Sequence, residues 1–378
     1  MTDRIAAIHL HPLSAKLREP FAYSQAWYAE RGALLVEIVT EQGLTGWGEA
    51  FGPARITAAV AAWLTPLLVG EDPDATERHW QRLYNALRDH GRKGVVTEAI
   101  SAIDTALWDI RGKRAGLPVH RLLGGPLRTE VEAYATGLYR RERADHEIYL
   151  REEAAGYAAA GFRAMKLKTG WGIEEDIALT RALRDEIGPT IRLAIDANHA
   201  YDSTAAAAYL RGAARYDLMW FEEPVTPEDV EGYVELRRLN LCPIAGGEAE
   251  FTRWGHRKLI TARAVDILQP DLAAAGGISE TKKIADMAAA FGMRTNLHVW
   301  GTGVAMAAAL QVIAVLPDVP PSLNPIPPLL EMDRSEHPIR DAVLTTPIAH
   351  TRGMVRIPDG PGLGIEIDRD ALRHFRMA

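Results

Sequence analysis

Apolar and polar positions follow two rhythms along the chain, and the change falls near residue 126. Before it, Ile5–Leu10 and Ala33–Thr40 are compact apolar runs of strand length. Glu41-Gln-Gly-Leu-Thr-Gly-Trp-Gly-Glu49 then supplies a glycine-bearing turn and a further strand. Three helical stretches follow, the clearest carrying Ile100, Ile103, Ala106, Leu107 and Ile110 at three-and-four spacing. Gly124-Gly-Pro126 ends the segment. Strands followed by segregated helices predict an α+β unit over residues 1–126.

From Val131 onward the rhythm alternates between strand and helix. The predicted strands are Val131–Thr136, Ala164–Lys168, Arg192–Asp196, Leu218–Glu222, Pro243–Glu248, Val265–Gln269, Arg294–His298 and Leu329–Glu331. Alanine-rich amphipathic stretches such as Thr204–Tyr216 and Ser279–Phe291 fill the intervals. Seven or eight such units predict an α/β fold, a closed TIM-type (β/α) barrel over residues 127–352. The glycine- and proline-rich end, Gly353–Ala378, is expected to carry a short strand at Gly364–Ile367 and to pack back on the N-terminal unit.

Composition narrows the setting. The 378 residues exceed one ordinary core, in line with a barrel plus a second unit. A net charge of −7 leaves no electrostatic footprint for nucleic acid. No stretch approaches the roughly 20 apolar residues of a membrane span, and Met1-Thr-Asp-Arg-Ile lacks the order of a signal peptide. The single cysteine, Cys242, sits in an apolar run and reads as a core residue rather than a reactive thiol. A cytoplasmic setting is expected.

The chemistry lies at the strand ends. Asp196, Glu222 and Glu248 each close an apolar run, with 26 residues from the first to the second and 26 again to the third. In parallel neighbouring strands these carboxylates converge, and a cluster of anionic oxygens repels itself unless a hard cation such as Mg²⁺ sits in it. Lys166 and Lys168 alternate onto one face of their strand and point inward. A lysine in a dry pocket loses its proton more readily, so a base near neutral pH is expected here. Asp271 and His298 end adjacent strands and can pair, the carboxylate orienting the imidazole. A satisfied structural histidine is the competing reading. Asn198 shares the side of Asp196 and can support it. Glu331 is either a further acid or a strand-end surface residue. Glu223 faces away from Glu222 and is a weaker ligand candidate. His9-Leu-His11 resembles a hydrolase metal pair, but as the start of a barrel it would leave the three phased carboxylates without a task.

Lys166-Leu-Lys168, Asp196-Ala-Asn198, Glu222-Glu-Pro224, Gly247-Glu248, Gln269-Pro-Asp271 and His298 closely resemble the mandelate racemase subgroup of the enolase superfamily. Ala99–Lys113 is similar to the helix that precedes that family's barrel. The resemblance implies a (β/α)7β barrel capped by the N-terminal unit and one Mg²⁺ per subunit on Asp196, Glu222 and Glu248. It implies Lys168 as base on one face of the substrate, the Asp271–His298 dyad on the other, and Lys166 neutralising the substrate carboxylate. The lysine pair of the muconate lactonizing branch is replaced here by Asp271. Gly48–Arg55, Leu83–Asp89, Ala133–Gly137, His298–Val304, Ser322–Pro325 and Glu331–Arg334 are similar to the branch acting on sugar-acid lactones. That branch isomerises and opens galactaro-1,4-lactone to a 3-deoxy-2-keto-hexarate. Acid-sugar dehydration and racemisation or epimerisation are the alternatives within enzymes, and an idle binding protein is the alternative outside them. Tyr23, Trp27, His90 and Trp300 are the candidates for substrate recognition. A homo-oligomer acting on a small acid sugar, with no nucleic-acid or membrane partner, is expected.

Overall fold

The computed structural model describes residues 3–377. Its N-terminal part is a three-stranded antiparallel sheet, β1 (Ile5–Tyr23), β2 (Ala26–Thr40) and β3 (Thr45–Ala50), in the order β1-β2-β3. Helices α1 (Ala54–Leu64), α2 (Thr76–Leu87) and α3 (Val95–Ala115) cover it. Val36, Ile38, Leu34, Ile100 and Ile103 form the core between sheet and helices. The sequence predicts a first strand ending at Leu10, but β1 runs on to Tyr23. Its polar positions and its two prolines are tolerated because it is an edge strand with one face in water. His11 lies in this edge strand and bonds Glu37 at 2.9 Å.

Eight parallel strands form the barrel: β4 (Glu130–Thr136), β5 (Ala164–Lys168), β6 (Arg192–Asp196), β7 (Leu218–Glu222), β8 (Ile244–Gly246), β9 (Ile267–Leu268), β10 (Arg294–Thr295) and β11 (Leu330–Asp333). A long helix follows each of the first seven, from His146–Ala159 to Gly303–Ile313. β11 pairs with β4, while β10 and β11 share no ladder among the described residues. Side chains bridge that seam instead: Asn296 Oδ1 accepts from the Leu329 amide at 3.1 Å, and Glu331 Oε2 from the Val299 amide at 3.1 Å. Tyr134 and Trp220, edge to face at 5.1 Å, help fill the barrel interior, so it is a packed core rather than a pore.

The final stretch corrects one expectation. Gly364–Ile367 is not a strand, and only Ile367 makes an isolated bridge, to Leu344. Two short strands lie earlier, β12 (His350–Thr351) and β13 (Met354–Arg356), and β13 pairs antiparallel with β4 of the barrel. The last residues do reach the N-terminal sheet: Leu13 bridges Arg376, and Arg369 bonds Glu37. Cys242 is half-buried just before β8, and burial pushes its thiol up to about 12.

The two parts are locked together at α3. Asp104 accepts from the Ser279 amide at 2.9 Å and its hydroxyl at 2.7 Å, and Trp108 Nε1 donates to the same hydroxyl at 2.8 Å. At the other end, the β1–β2 turn reaches over the barrel. Ser24 Oγ donates to the carbonyls of Ala197 and Asn198 at 2.6 and 3.0 Å, and Gln25 Nε2 to that of Asn198 at 3.0 Å. This close approach needs Gly170, whose φ is +105° and where a Cβ would stand 2.7 Å from that of Ser24. No described helix is long and apolar enough to cross a membrane.

Candidate active site

β6, β7 and the segment after β8 end side by side, and this places one oxygen each of Asp196, Glu222 and Glu248 within 4.8 Å of one another. Asp196 and Glu222 are fully buried. Asp196 Oδ1 accepts from the Asn198 amide at 2.9 Å. Glu222 Oε2 is held by Trp220 Nε1 at 2.8 Å and Gln269 Nε2 at 2.7 Å. Glu248 Oε2 is buried and makes no hydrogen bond. Three converging carboxylate oxygens, one of them without a hydrogen bond, are what a hard divalent cation satisfies, so the donor set fits Mg²⁺.

Both lysines of β5 point into this cluster. Lys166 is fully buried, bonded to Glu222, 2.9 Å from Glu331 Oε1 and 3.3 Å from Asp196 Oδ2. Lys168 bonds Asp196 Oδ2 at 2.5 Å and Asn198 Oδ1 at 2.9 Å. Burial works against the Lys168 proton, but the surrounding carboxylates, Asp196 first and then Glu248 and Glu222, together outweigh it and raise the group. Burial here comes with a carboxylate partner, so Lys168 can serve as a base only where a cation on Asp196, Glu222 and Glu248 offsets that negative charge. Glu331 is no surface residue. It is fully buried, bonded to Lys166 and to Thr136 Oγ1 at 2.6 Å, and pulled down to about 2 against its burial by Lys166 and His298.

Asp271 and His298 are joined by an isolated parallel bridge, with Asp271 Oδ2 2.6 Å from Nδ1 of the imidazole. Asp271 Oδ1 accepts from the Ala273 amide at 2.7 Å, which fixes the carboxylate. His298 Nε2 faces Glu248 Oε2 at 3.3 Å and Glu331 Oε2 at 3.9 Å. Burial opposes its charge, yet Glu248, Glu331 and Asp271 together push it up to about 10. Asn198, His199 and Glu223, beside the ligand strands, adopt left-handed φ values of 42°, 69° and 43°. Such local strain is held only where surroundings over-determine it. Glu223 is buried behind the cluster, paired with His199 at 3.1 Å and Asn198 at 3.3 Å.

A cavity of about 280 Å³ opens over these groups. Lys168, Asn198, Glu248 and His298 line its floor, and Tyr23 and Trp300 its walls. Trp27 and His90 are not brought to it. Trp27 is half exposed on the hairpin, where alternation turns it away from Tyr28, and His90 is exposed on the α2–α3 loop. Tyr28, Phe51, Tyr139, His199 and Phe251 line the cavity without being singled out by sequence. Tyr28 and Phe51 lie in segments with recognisable patterns, but nothing local marks an aromatic residue as facing a ligand rather than a core.

A barrel with a carboxylate triad, two inward lysines and an Asp–His pair at one rim defines the enolase-like class. Residues 149–371 match the enolase C-terminal domain-like family, and residues 5–124 match the mandelate racemase / muconate lactonizing enzyme N-terminal domain. This chain belongs to the mandelate racemase subgroup of the enolase superfamily. It is 48% identical over 374 residues to a D-galactarolactone cycloisomerase of Agrobacterium fabrum, covering 99% of each chain. Its fold matches the 3,6-anhydro-D-galactonate cycloisomerase of Zobellia galactanivorans with a TM-score of 0.91 and 41% identity, covering 99% of this chain and 100% of that one. An L-talarate/galactarate dehydratase variant liganded with Mg and L-glucarate superposes with a TM-score of 0.88 and 30% identity, covering 100% and 93%.

Proposed function

We propose that this enzyme removes the proton α to the carboxylate of a sugar-acid lactone and opens the ring without hydrolysis, with D-galactaro-1,4-lactone as substrate. The observation that carries the reading is the presence of two proton-transfer groups, Lys168 and His298, on one cavity. They come from β5 and β10, three strands apart one way round the ring and five the other, so a bound acid lies between them. The 48% identical relative bears the matching name.

In this reading Asp196, Glu222 and Glu248 hold one Mg²⁺ per subunit. When bound, the cation offsets the carboxylates and stabilises the charge that builds on the substrate carboxylate. Lys166, buried and held by Glu331, Glu222 and Asp196, supplies a second fixed positive charge to the same end. Lys168, steered by Asn198, takes the α-proton. The electron pair left behind forms a double bond to the β-carbon and expels the ring oxygen there as a carboxylate. The enol so formed takes a proton and becomes the 3-deoxy-2-keto acid, an isomer of the lactone. His298, aligned by Asp271, serves the opposite face and exchanges protons there. We assign the capping role to residues 1–126 with 353–378, and catalysis to residues 127–352 of a cytoplasmic homo-oligomer.

The Asp271–His298 pair on the same cavity favours one other outcome on an open-chain acid sugar. A protonated imidazole can assist a leaving β-hydroxyl, which gives dehydration. Incubation with galactarolactone in D₂O, followed by proton NMR, separates these. The expected result is a deuterated 3-deoxy-2-keto-hexarate. Absence of both product and α-deuterium exchange across a panel of acid sugars would sink the proposal.

A further inference from the structure

The packing of the barrel interior stops short of its N-terminal end. There a pocket of about 210 Å³ opens beside the starts of β6, β7, β9 and β10, under the segment that leads into β11. It shares no lining residue with the cavity at the opposite rim. One lip belongs to Pro317–Pro328, a stretch with six prolines in twelve residues. Proline fixes φ and has no N–H, so this lip is preshaped and poor in donors. Arg128 anchors its start: Nη1 donates to the Ile313 and Leu316 carbonyls at 2.5 and 2.7 Å, and Nη2 to Asp318 at 2.8 Å. Ile326 stands half exposed on the lip, and Met219 lines the same pocket, partly exposed.

Three guanidinium groups and two carboxylates gather around this mouth, and one cation is left over. Arg192 Nη2 lies 2.6 Å from Glu132 Oε1. Arg237 Nε lies 2.8 Å from Asp266 Oδ1, and Asp266 Oδ2 accepts from the Ile244 amide at 3.0 Å. The Arg294 side chain lines the pocket and makes no ion pair or hydrogen bond among the described residues, although it is half-buried and burial works against its charge. Asn296, in the same wall, turns Oδ1 to the Leu329 amide at 3.1 Å, which leaves Nδ2 without an acceptor among the described residues. A half-buried guanidinium that has lost water and gained no partner carries an uncompensated cost. A planar carboxylate relieves it best, through two parallel N–H···O bonds.

We propose that the N-terminal mouth of the barrel is a second ligand site, separate from the active site, for a small monocarboxylate with a compact apolar body. The carboxylate sits on Arg294 and Asn296 Nδ2, and the body lies against Met219, Ile326 and the prolines. One unpaired cation answers one carboxylate. A second anionic end would meet Glu132 or the donor-poor lip, losing water without an ionic partner. Inorganic phosphate would leave the apolar lip bare, and a pocket of about 210 Å³ is small even for a drug-sized ligand. The site does not depend on what the opposite rim catalyses.

Benzoate is the probe, followed by ligand-observed proton NMR titration of the full chain in EDTA. A single site with a dissociation constant on the order of 1 mM is expected. Benzamide, which keeps the ring and loses the charge, terephthalate, which adds a second carboxylate, and phosphate should each bind at least tenfold more weakly. Arg294→Gln breaks no hydrogen bond of the fold and should weaken benzoate at least tenfold. Ile326→Glu, on the exposed lip, should weaken it about fivefold by setting a negative charge at the mouth. Saturating Mg²⁺ should leave the benzoate affinity unchanged. No saturable binding, an affinity untouched by Arg294→Gln, or benzamide binding as tightly as benzoate would overturn the proposal. So would binding that appears only with Mg²⁺, which assigns the acid to the active site. Phosphate as tight as benzoate refutes the apolar body, and terephthalate as tight as benzoate refutes the single charge.

Discussion

The floor and the wall of the cavity are built by opposite means. The floor comes from strand ends of one barrel, where Asp196, Glu222, Lys166 and Lys168 are fixed by ladder pairing and by one another. The wall comes mainly from the N-terminal hairpin and the loops after β3, β8 and β10, held over the barrel by Ser24, Gln25 and the Asp104–Ser279 contact. Charges that must be placed to a fraction of an ångström sit on the rigid part. Groups that choose a substrate sit on the part that can vary without disturbing the chemistry. The difference teaches that reaction type and substrate choice can be altered separately here.

Removing the floor's proton acceptor should have the largest effect. Lys168→Ala is expected to lower kcat by roughly 10³-fold or more, with α-deuterium exchange lost from that face and circular dichroism unchanged. If exchange persists at the parent rate, the division of roles is wrong. Metal removal comes next. Chelation should abolish turnover and added Mg²⁺ should restore it, while saturating cation, at about 100 times its dissociation constant, adds about 2.7 kcal/mol of stability. Unchanged thermal stability in Mg²⁺ would argue against the triad as a cation site. Asp271→Asn should cost on the order of 10²-fold in kcat with KM little changed, because the imidazole loses its orienting carboxylate rather than a substrate contact.

Changes on the capping side should be smaller and of another kind. Ser24→Ala removes hydrogen bonds to the Ala197 and Asn198 carbonyls, each worth about 1 kcal/mol. It should raise KM several-fold and leave kcat nearly intact; a kcat loss instead would place the hairpin in the chemistry. The junction itself should respond to pH. Burial raises Asp104 from 3.8 to about 7, since its bonds to Ser279 only partly offset the lost hydration. A raised carboxylate favours the folded state fully at low pH, and that contribution is lost as pH rises from about 4 through about 7. Asp104→Asn should flatten that part of the stability curve measured by denaturant unfolding. An unaltered slope would show that Asp104 does not titrate there.

The chain announced much of this before it was folded. A period of one strand and one helix, with carboxylates at three consecutive strand ends, is enough to specify parallel neighbours with acids at one rim. Alternation along β5 likewise puts Lys166 and Lys168 on one side. Those are local regularities of backbone geometry, and sequence carries them openly. The length of β1 was hidden because an edge strand with a wet face leaves a weak apolar signal. The closing seam between β10 and β11 was hidden because side chains rather than a ladder bridge it.

What folding alone decided is who meets whom across long separations. Phe51, Tyr28, Phe251 and Trp300 come together from four distant segments, and His90 and Trp27, equally plausible in sequence, are left outside. Folding also decided the surroundings of the floor: Lys168 is a buried lysine either way, but only the fold sets the Asp196 carboxylate 2.5 Å from it. Spacing along a chain encodes strand ends because pairing is local and periodic. Pocket walls and proton affinities depend on distances between segments, which no local pattern contains.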